Sequence, residues 1–274
     1  MRPVWKGAVS FGLVNIPVKM YPASEDKSIK FKYLHSTCKA PVKYKKVCSR
    51  CGQTVEQDEI VRGYEYQRDR FVIMNEEDFA AVAAQKTRTI DIIDFCRLEE
   101  IDPIYFEKSY YLGPEETGKK AYDLLVAVLK KTARVAVAKV VIRTRQALAA
   151  IRIYQDVLVM ETMKYPDEVR SPMDVPDVTA ETAVSDRELD MAVKLVEGMT
   201  EPFVPEKYTD DYRKGLLELI SAKIEGQEPI LEPEQEQPEG VIDLMESLRA
   251  SLEAMEKERF APAAGRRREK GRVG

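Results

Sequence analysis

Two hydrophobic periodicities divide this chain. Residues 14–20 read Val-Asn-Ile-Pro-Val-Lys-Met, apolar at every second position, which predicts a half-buried strand with Pro17 at an edge or bulge. Runs rich in β-branched and aromatic residues at 29–34, 60–66, 71–74, 89–96 and 104–112 predict further strands. Asn75 is placed to cap a short helix that starts on Glu76. Residues 118–132 switch to helical spacing, with Ala121, Leu124, Leu125, Val128 and Leu129 on one stripe. Three more strand-like runs follow, 134–143, 147–154 and 157–164, joined by connections short enough for hairpins. Short antiparallel strands with helices folded between them predict an α+β fold built on an antiparallel β-barrel, not a doubly wound sheet.

The pattern then turns helical. Ser185 and Glu188 form a capping box ahead of Leu189, Ala192, Val193 and Val196, and the stripe stops at Gly198. A second helix spans about 210–225, with Tyr212, Leu216, Leu219, Ile220 and Ile224 on one face. Residues 226–240 are a Glu/Pro/Gln linker expected to be disordered. Val241, Leu244, Met245, Leu248, Leu252 and Met255 mark a lone amphipathic helix, which must dock on a partner or fold back to cover its stripe. The expected organisation is therefore a core over 1–184, a helical arm over 185–226, and a linker, helix and basic tail over 227–274.

Charge changes the picture more than composition does. With 43 Lys and Arg against 47 Asp and Glu, the net charge of −4 argues against an acidic polymer as partner, yet the distribution argues for one. Residues 27–50 hold eight Lys or Arg and no acid, residues 130–152 hold seven and no acid, and residues 225–239 hold six Glu and no base. Segregation of this kind is an electrostatic footprint for nucleic acid. No apolar run approaches the roughly 20 residues of a membrane span. The N-terminus lacks an apolar signal segment and the thiols lack a dense even framework, so a reducing cytoplasm is expected, with no membrane partner.

The one histidine of the chain and three of its four cysteines fall between 35 and 51. His35 and Cys38 form an H-x-x-C pair; Cys48 and Cys51 form a C-x-x-C pair followed by Gly52, which permits a tight turn. Such pairs can close a tetrahedral Cys₃His shell around zinc, and a full shell leaves no open position for catalysis. The expectation is a structural Zn²⁺ on His35, Cys38, Cys48 and Cys51. Cys96, in an apolar stretch, reads as a small core residue.

No enzyme reading stands up. Neither phosphate-cradling glycine motif occurs, and the single histidine, claimed by the cysteine cluster, removes the usual general base. Asp91, Asp94, Glu99, Glu100 and Asp102 crowd together, but Asp91 and Asp94 are three apart on a predicted strand and should face opposite sides, which weakens a two-metal nuclease. A zinc-ribbon nucleic-acid-binding regulator is the alternative reading from another class.

Longer motifs carry a resemblance. The opening Trp5-Lys-Gly-Ala-Val-Ser-Phe-Gly-Leu-Val-Asn-Ile-Pro-Val-Lys-Met20, together with Ile60-Val-Arg-Gly-Tyr-Glu-Tyr66, Glu100-Ile-Asp-Pro-Ile-Tyr-Phe-Glu-Lys-Ser-Tyr-Tyr111, Met163-Lys-Tyr-Pro-Asp-Glu-Val-Arg170 and the segment from Phe203 to Ile220, resembles the bacterial Ku proteins over about residues 1–226. The resemblance implies a Ku core with arching dimerisation strands and a helical C-terminal arm. It further implies a homodimeric ring that takes broken double-stranded DNA ends in non-homologous end joining, near the nucleoid, and recruits the bacterial end-joining ATP-dependent DNA ligase. A threading ring meets phosphates without reading bases, so Lys and Arg suffice. Lys130, Lys131, Arg134, Lys139, Arg143, Arg145 and Arg152 are the first choice for its lining, with Lys43, Lys45 and Lys46 beside the zinc window. Arg266, Arg267, Arg268, Lys270 and Arg272 of the tail are candidates for DNA or ligase contact. The zinc ligands are a property of these residues and not of the resemblance.

Overall fold

The computed structural model describes residues 1–83, 88–142, 145–176, 184–226 and 244–260, in two compact units, 1–175 and 176–274. In the first unit seven strands close a barrel in the order β1 (Trp5–Phe11), β2 (Val14–Pro22), β6 (Phe106–Pro114), β9 (Val157–Met163), β8 (Arg145–Tyr154), β7 (Val135–Ile142) and β5 (Thr89–Cys96). Six seams are antiparallel. The seventh, which closes the barrel between β1 and β5, is parallel, with Ala8 opposite Thr89 and Val9 opposite Ile90. The expected all-antiparallel barrel is corrected at that one seam.

Alternation fills the interior. Val9, Ile16, Val18, Met20, Ile90, Leu112, Ala136, Ala138, Val140, Ala149, Ile151, Leu158 and Met160 point into one core. The strand β1 lay outside the periodicity reading because Val9 is its only fully buried residue. Its fit at the seam depends on Gly7. A Cβ there would stand 2.2 Å from the Arg88 carbonyl oxygen and 2.2 Å from the Trp5 indole, so the close approach of the two chains requires glycine. Conversely, the run at 29–34 forms no strand; only Leu34 makes an isolated bridge, to Pro41.

The barrel has two unlike ends. Strand β6 finishes and β7 begins at one of them, and α2 (Lys119–Thr132) makes that connection, placing Tyr122, Leu125 and Leu129 in the core. The Tyr122 hydroxyl ties the end together: it donates to the Leu112 carbonyl at 2.7 Å and accepts from the Leu158 N–H at 3.0 Å. Burial pushes its pKa above the usual phenol range. At the opposite end β2 finishes and β5 starts, and everything from 23 to 88 leaves and returns there. The described residues of that excursion hold the hairpin β3 (Arg62–Gln67) and β4 (Arg70–Met74), paired with itself, a 3-10 turn at Gln57–Glu59, and α1 (Glu76–Ala83).

In the second unit, α3 (Asp186–Met199) starts at the expected capping box, with Ser185 Oγ accepting from the Glu188 N–H at 3.3 Å. It is followed by α4 (Asp211–Ile224) and α5 (Leu244–Phe260). Of the two fates open to the α5 stripe, folding back is the one seen: it packs on α3, with Met255 filling the space over Gly198, where an added Cβ would come within 2.4 Å of its methyl carbon. Helix α3 is apolar on two sides. Met191, Ala192, Leu195 and Gly198 are half-buried, so of the expected stripe Leu189, Ala192, Val193 and Val196 one member, Ala192, is partly covered and the other three are exposed. The linker at 227–243, Arg143, and the tail residues Arg266, Arg267, Arg268, Lys270 and Arg272 lie outside the described residues.

Two substitutions test these supports. Tyr122→Phe leaves the Leu158 N–H and the Leu112 carbonyl without their buried partner and should cost roughly 1–3 kcal/mol, read as a lower urea midpoint. Gly7→Ala should cost a similar ~1–3 kcal/mol by overpacking the seam; an unchanged midpoint would mean that the seam relaxes freely.

Candidate nucleic-acid interface

Of the two acid-free basic runs, the structure pairs three cations of one with acids and leaves most of the other exposed. In the meander, Lys130 pairs with Asp156, Arg145 pairs with Glu168, and Arg152 pairs with Glu161 at 2.6 Å. Lys139, exposed on β7, stands opposite Asp91 of β5. Lys131 and Arg134 are exposed at the end of α2 and beyond it. Antiparallel pairing brings acids from 156, 161 and 168 onto a surface whose own segment has none. The Arg152–Glu161 pair is structural: Glu161 is only 8% exposed and accepts a further contact from Ser109 Oγ at 3.4 Å.

The excursion behaves differently. Lys30, Lys32, Lys39, Lys43, Lys45, Lys46 and Arg50 are all exposed, and the nearest polar contact is neutral, from Lys46 to Gln57. Among the described residues the one ion pair in this window joins Lys27 to Glu25, at 2.6 Å. The residue choice of Lys43, Lys45 and Lys46 therefore lands on open cationic surface. The sequence reading did not single out Arg68 and Arg70, both exposed at the β3–β4 turn, since isolated arginines in a mixed-charge run give no signal. Nor did it single out Lys108, which with Trp5, Pro22, Tyr110 and Ile142 lines a cavity of about 450 Å³ at the barrel end where the excursion is rooted.

Exposed aromatic residues interleave with these cations. Phe31, Tyr33 and Tyr44 are exposed in the basic window, and both faces of the β3–β4 hairpin are open, including Tyr64, Tyr66, Phe71 and Ile73. A single two-stranded hairpin is marginal alone in water, and a contiguous apolar surface of this kind marks an interaction site. Of its bases, Arg62 is held in place, 3.5 Å from Glu76 and 5.1 Å from the Phe79 ring centroid.

The His/Cys window forms two separate turns. His35 Nδ1 lies 3.1 Å from Cys38 Sγ. The N–H groups of Cys51 and Arg50, with the Cys51 thiol, aim at Cys48 and hold its thiol below the usual range. Among the described residues no three His, Cys, Asp or Glu side chains stand close enough to hold a metal ion. Cys96 is half-buried at the end of β5, where burial pushes its thiol up. Asp91 and Asp94 were expected on opposite sides of their strand; a bulge between Ile92 and Asp94 resets the register and leaves both exposed.

The chain's sequence matches known proteins over most of its length. The family model of the Ku70/Ku80 β-barrel domain covers residues 10–191. The chain belongs to the Ku family. The Ku relatives include the "Non-homologous end joining protein Ku" of Bacillus subtilis, 45% identical over 96% of this chain and 86% of its own length. The proteins of the same name from Heliobacterium modesticaldum (44%, covering 98% of both chains) and Archaeoglobus fulgidus (40%, covering 93% of this chain and 100% of its own) match as fully. Among the described residues no helix is long and apolar enough to cross a membrane.

The assignment of Arg152 to structure has a direct check. Arg152→Met should lower stability by roughly 3 kcal/mol by stranding the buried Glu161 carboxylate, and the double change Arg152→Met/Glu161→Leu should recover most of it, measured by denaturant titration.

Proposed function

We propose that this protein binds double-stranded DNA ends in non-homologous end joining as a homodimeric ring, without sequence preference and without catalysing a reaction, and that it recruits the bacterial end-joining ATP-dependent DNA ligase. The excursion at 23–88 carries this reading: a self-paired hairpin with two open apolar faces beside a run of unneutralised lysines, both on one end of a sealed barrel. A second copy supplies the cover that the apolar hairpin lacks. Two excursions meeting over two barrels enclose a channel whose cations come from Lys43, Lys45 and Lys46, with Lys139 on the barrel wall. Phosphate contact alone gives binding that ignores sequence and falls steeply with salt. The names borne by the relatives support the same end-joining role.

The Leu189, Val193 and Val196 side of α3 is left open, because α5 occupies the other side of that helix. The basic tail at 266–272 adds a short cationic element of the same unit.

Linear duplex should bind tightly and relaxed covalently closed circles of the same sequence poorly in mobility-shift assays; equal affinity would sink the ring. Changing Lys43, Lys45 and Lys46 together to Ala should lower end affinity about 10-fold or more and flatten the salt dependence by up to about three phosphate contacts. Tyr64→Glu with Phe71→Glu should convert the dimer to a monomer in sedimentation while the barrel melts as before.

A further inference from the structure

The His/Cys window contains a structural repeat. Around His35, the His35 N–H donates to the Ala40 carbonyl at 2.9 Å and the Lys39 N–H donates back to the His35 carbonyl at 2.8 Å. Around Cys48, the Cys48 N–H donates to the Gln53 carbonyl at 2.9 Å and the Gly52 N–H donates back to the Cys48 carbonyl at 2.9 Å. The residue closing each turn is left-handed, Lys39 at φ 57° and Gly52 at φ 71°. Each turn is flanked by one bridge at the same offsets, Leu34 to Pro41 and Val47 to Thr54. A further pair of bonds extends the match, Val42 N–H to the Tyr33 carbonyl and Val55 N–H to the Lys46 carbonyl. The two hairpins therefore share one backbone pattern, and their equivalent positions are His35 with Cys48 and Cys38 with Cys51.

Lys39 holds a backbone region that a side chain disfavours. Both hairpins are exposed almost throughout and bury no core of their own. A turn that closes on the residue after the second ligand presents two ligands on one side, which is how a pair of short hairpins grips a metal. Small segments without a core are held by such staples.

We propose that His35, Cys38, Cys48 and Cys51 bind one Zn²⁺ as a tetrahedral Cys₃His site. Each hairpin is a preformed half, and the metal draws the halves together through the connecting residues 39–47. All four positions are taken by protein, so the ion holds shape and does no chemistry. Lys43, Lys45 and Lys46 lie on or beside the connecting stretch, so the metal also fixes where those cations stand. That last consequence rests on the end-binding reading; the site itself does not.

The probes are zinc and cobalt on the full chain. Protein purified without chelator should carry about one zinc per chain. Replacement by Co²⁺ should give the visible absorption of a tetrahedral site and a thiolate-to-cobalt charge-transfer band. Cys38→Ser, Cys48→Ser or Cys51→Ser should each remove about a third of that band and weaken zinc about 100-fold or more. Cys96→Ser should leave both unchanged, and the barrel's thermal melt should be intact in every cysteine variant. Less than about half an equivalent of zinc, a weak octahedral cobalt spectrum, or a thiolate band indifferent to Cys38 and Cys48 would overturn the site. DNA shifts run on the same samples separate the two readings: full zinc without end preference refutes ring binding alone, and end preference in zinc-free protein refutes the site alone.

Discussion

The parallel seam between β1 and β5 decides more of this structure than any other contact. Six antiparallel seams leave two edges, and a barrel exists only if those edges meet. Strand β2 finishes at the end where β1 starts. For β5 to run parallel to β1, the chain must re-enter at that same end, so the whole of 23–88 is obliged to leave and return on one side. An antiparallel closing strand would have delivered β5 from the opposite end, where α2 and Tyr122 complete the core. Gly7 is where the seam is tightest, since the Arg88 carbonyl occupies the space of a side chain. Closure also removes every free edge of the barrel.

The same closure explains where positive charge survives. Sequence segregates acids from bases along the chain, but a β-sheet surface is assembled from strands that are distant in sequence. Asp156, Glu161 and Glu168 come to Lys130, Arg152 and Arg145 because neighbouring strands and their turns bring them there. Segment 27–50 has no such neighbours. Its strands are single bridges and its cations are exposed, and among the described residues only Lys27 forms an ion pair there, with Glu25. Exposed ion pairs contribute little to stability and are screened by salt, whereas unpaired cations on an extended segment are available to phosphate.

Helix α3 shows a second kind of ambiguity. Its spacing holds two apolar sides, and a helical-period reading picks a stripe, Leu189, Ala192, Val193 and Val196, that straddles them. Helix α5 instead takes the side where Gly198 lets a methionine approach, since small residues permit close helix packing. The choice depends on the shape of the partner helix, which periodicity does not encode.

The capping box of α3, the α2 stripe, the meander and the H-x-x-C and C-x-x-C spacings were legible in sequence because each rests on residues within a few positions of one another. Local sterics and local hydrogen bonds determine them, and the motifs that place the chain in the Ku family are local strings of the same kind. What only the tertiary structure decided were the parallel closure, the role of Gly7, the bulge that exposes both Asp91 and Asp94, and the fate of each cation. These depend on which distant backbone arrives alongside, and neither hydrophobic period nor charge count carries that information. The His/Cys window stands between the two. Its ligand types were plain in sequence, but that two hairpins repeat one conformation around them is a property of folded backbone alone.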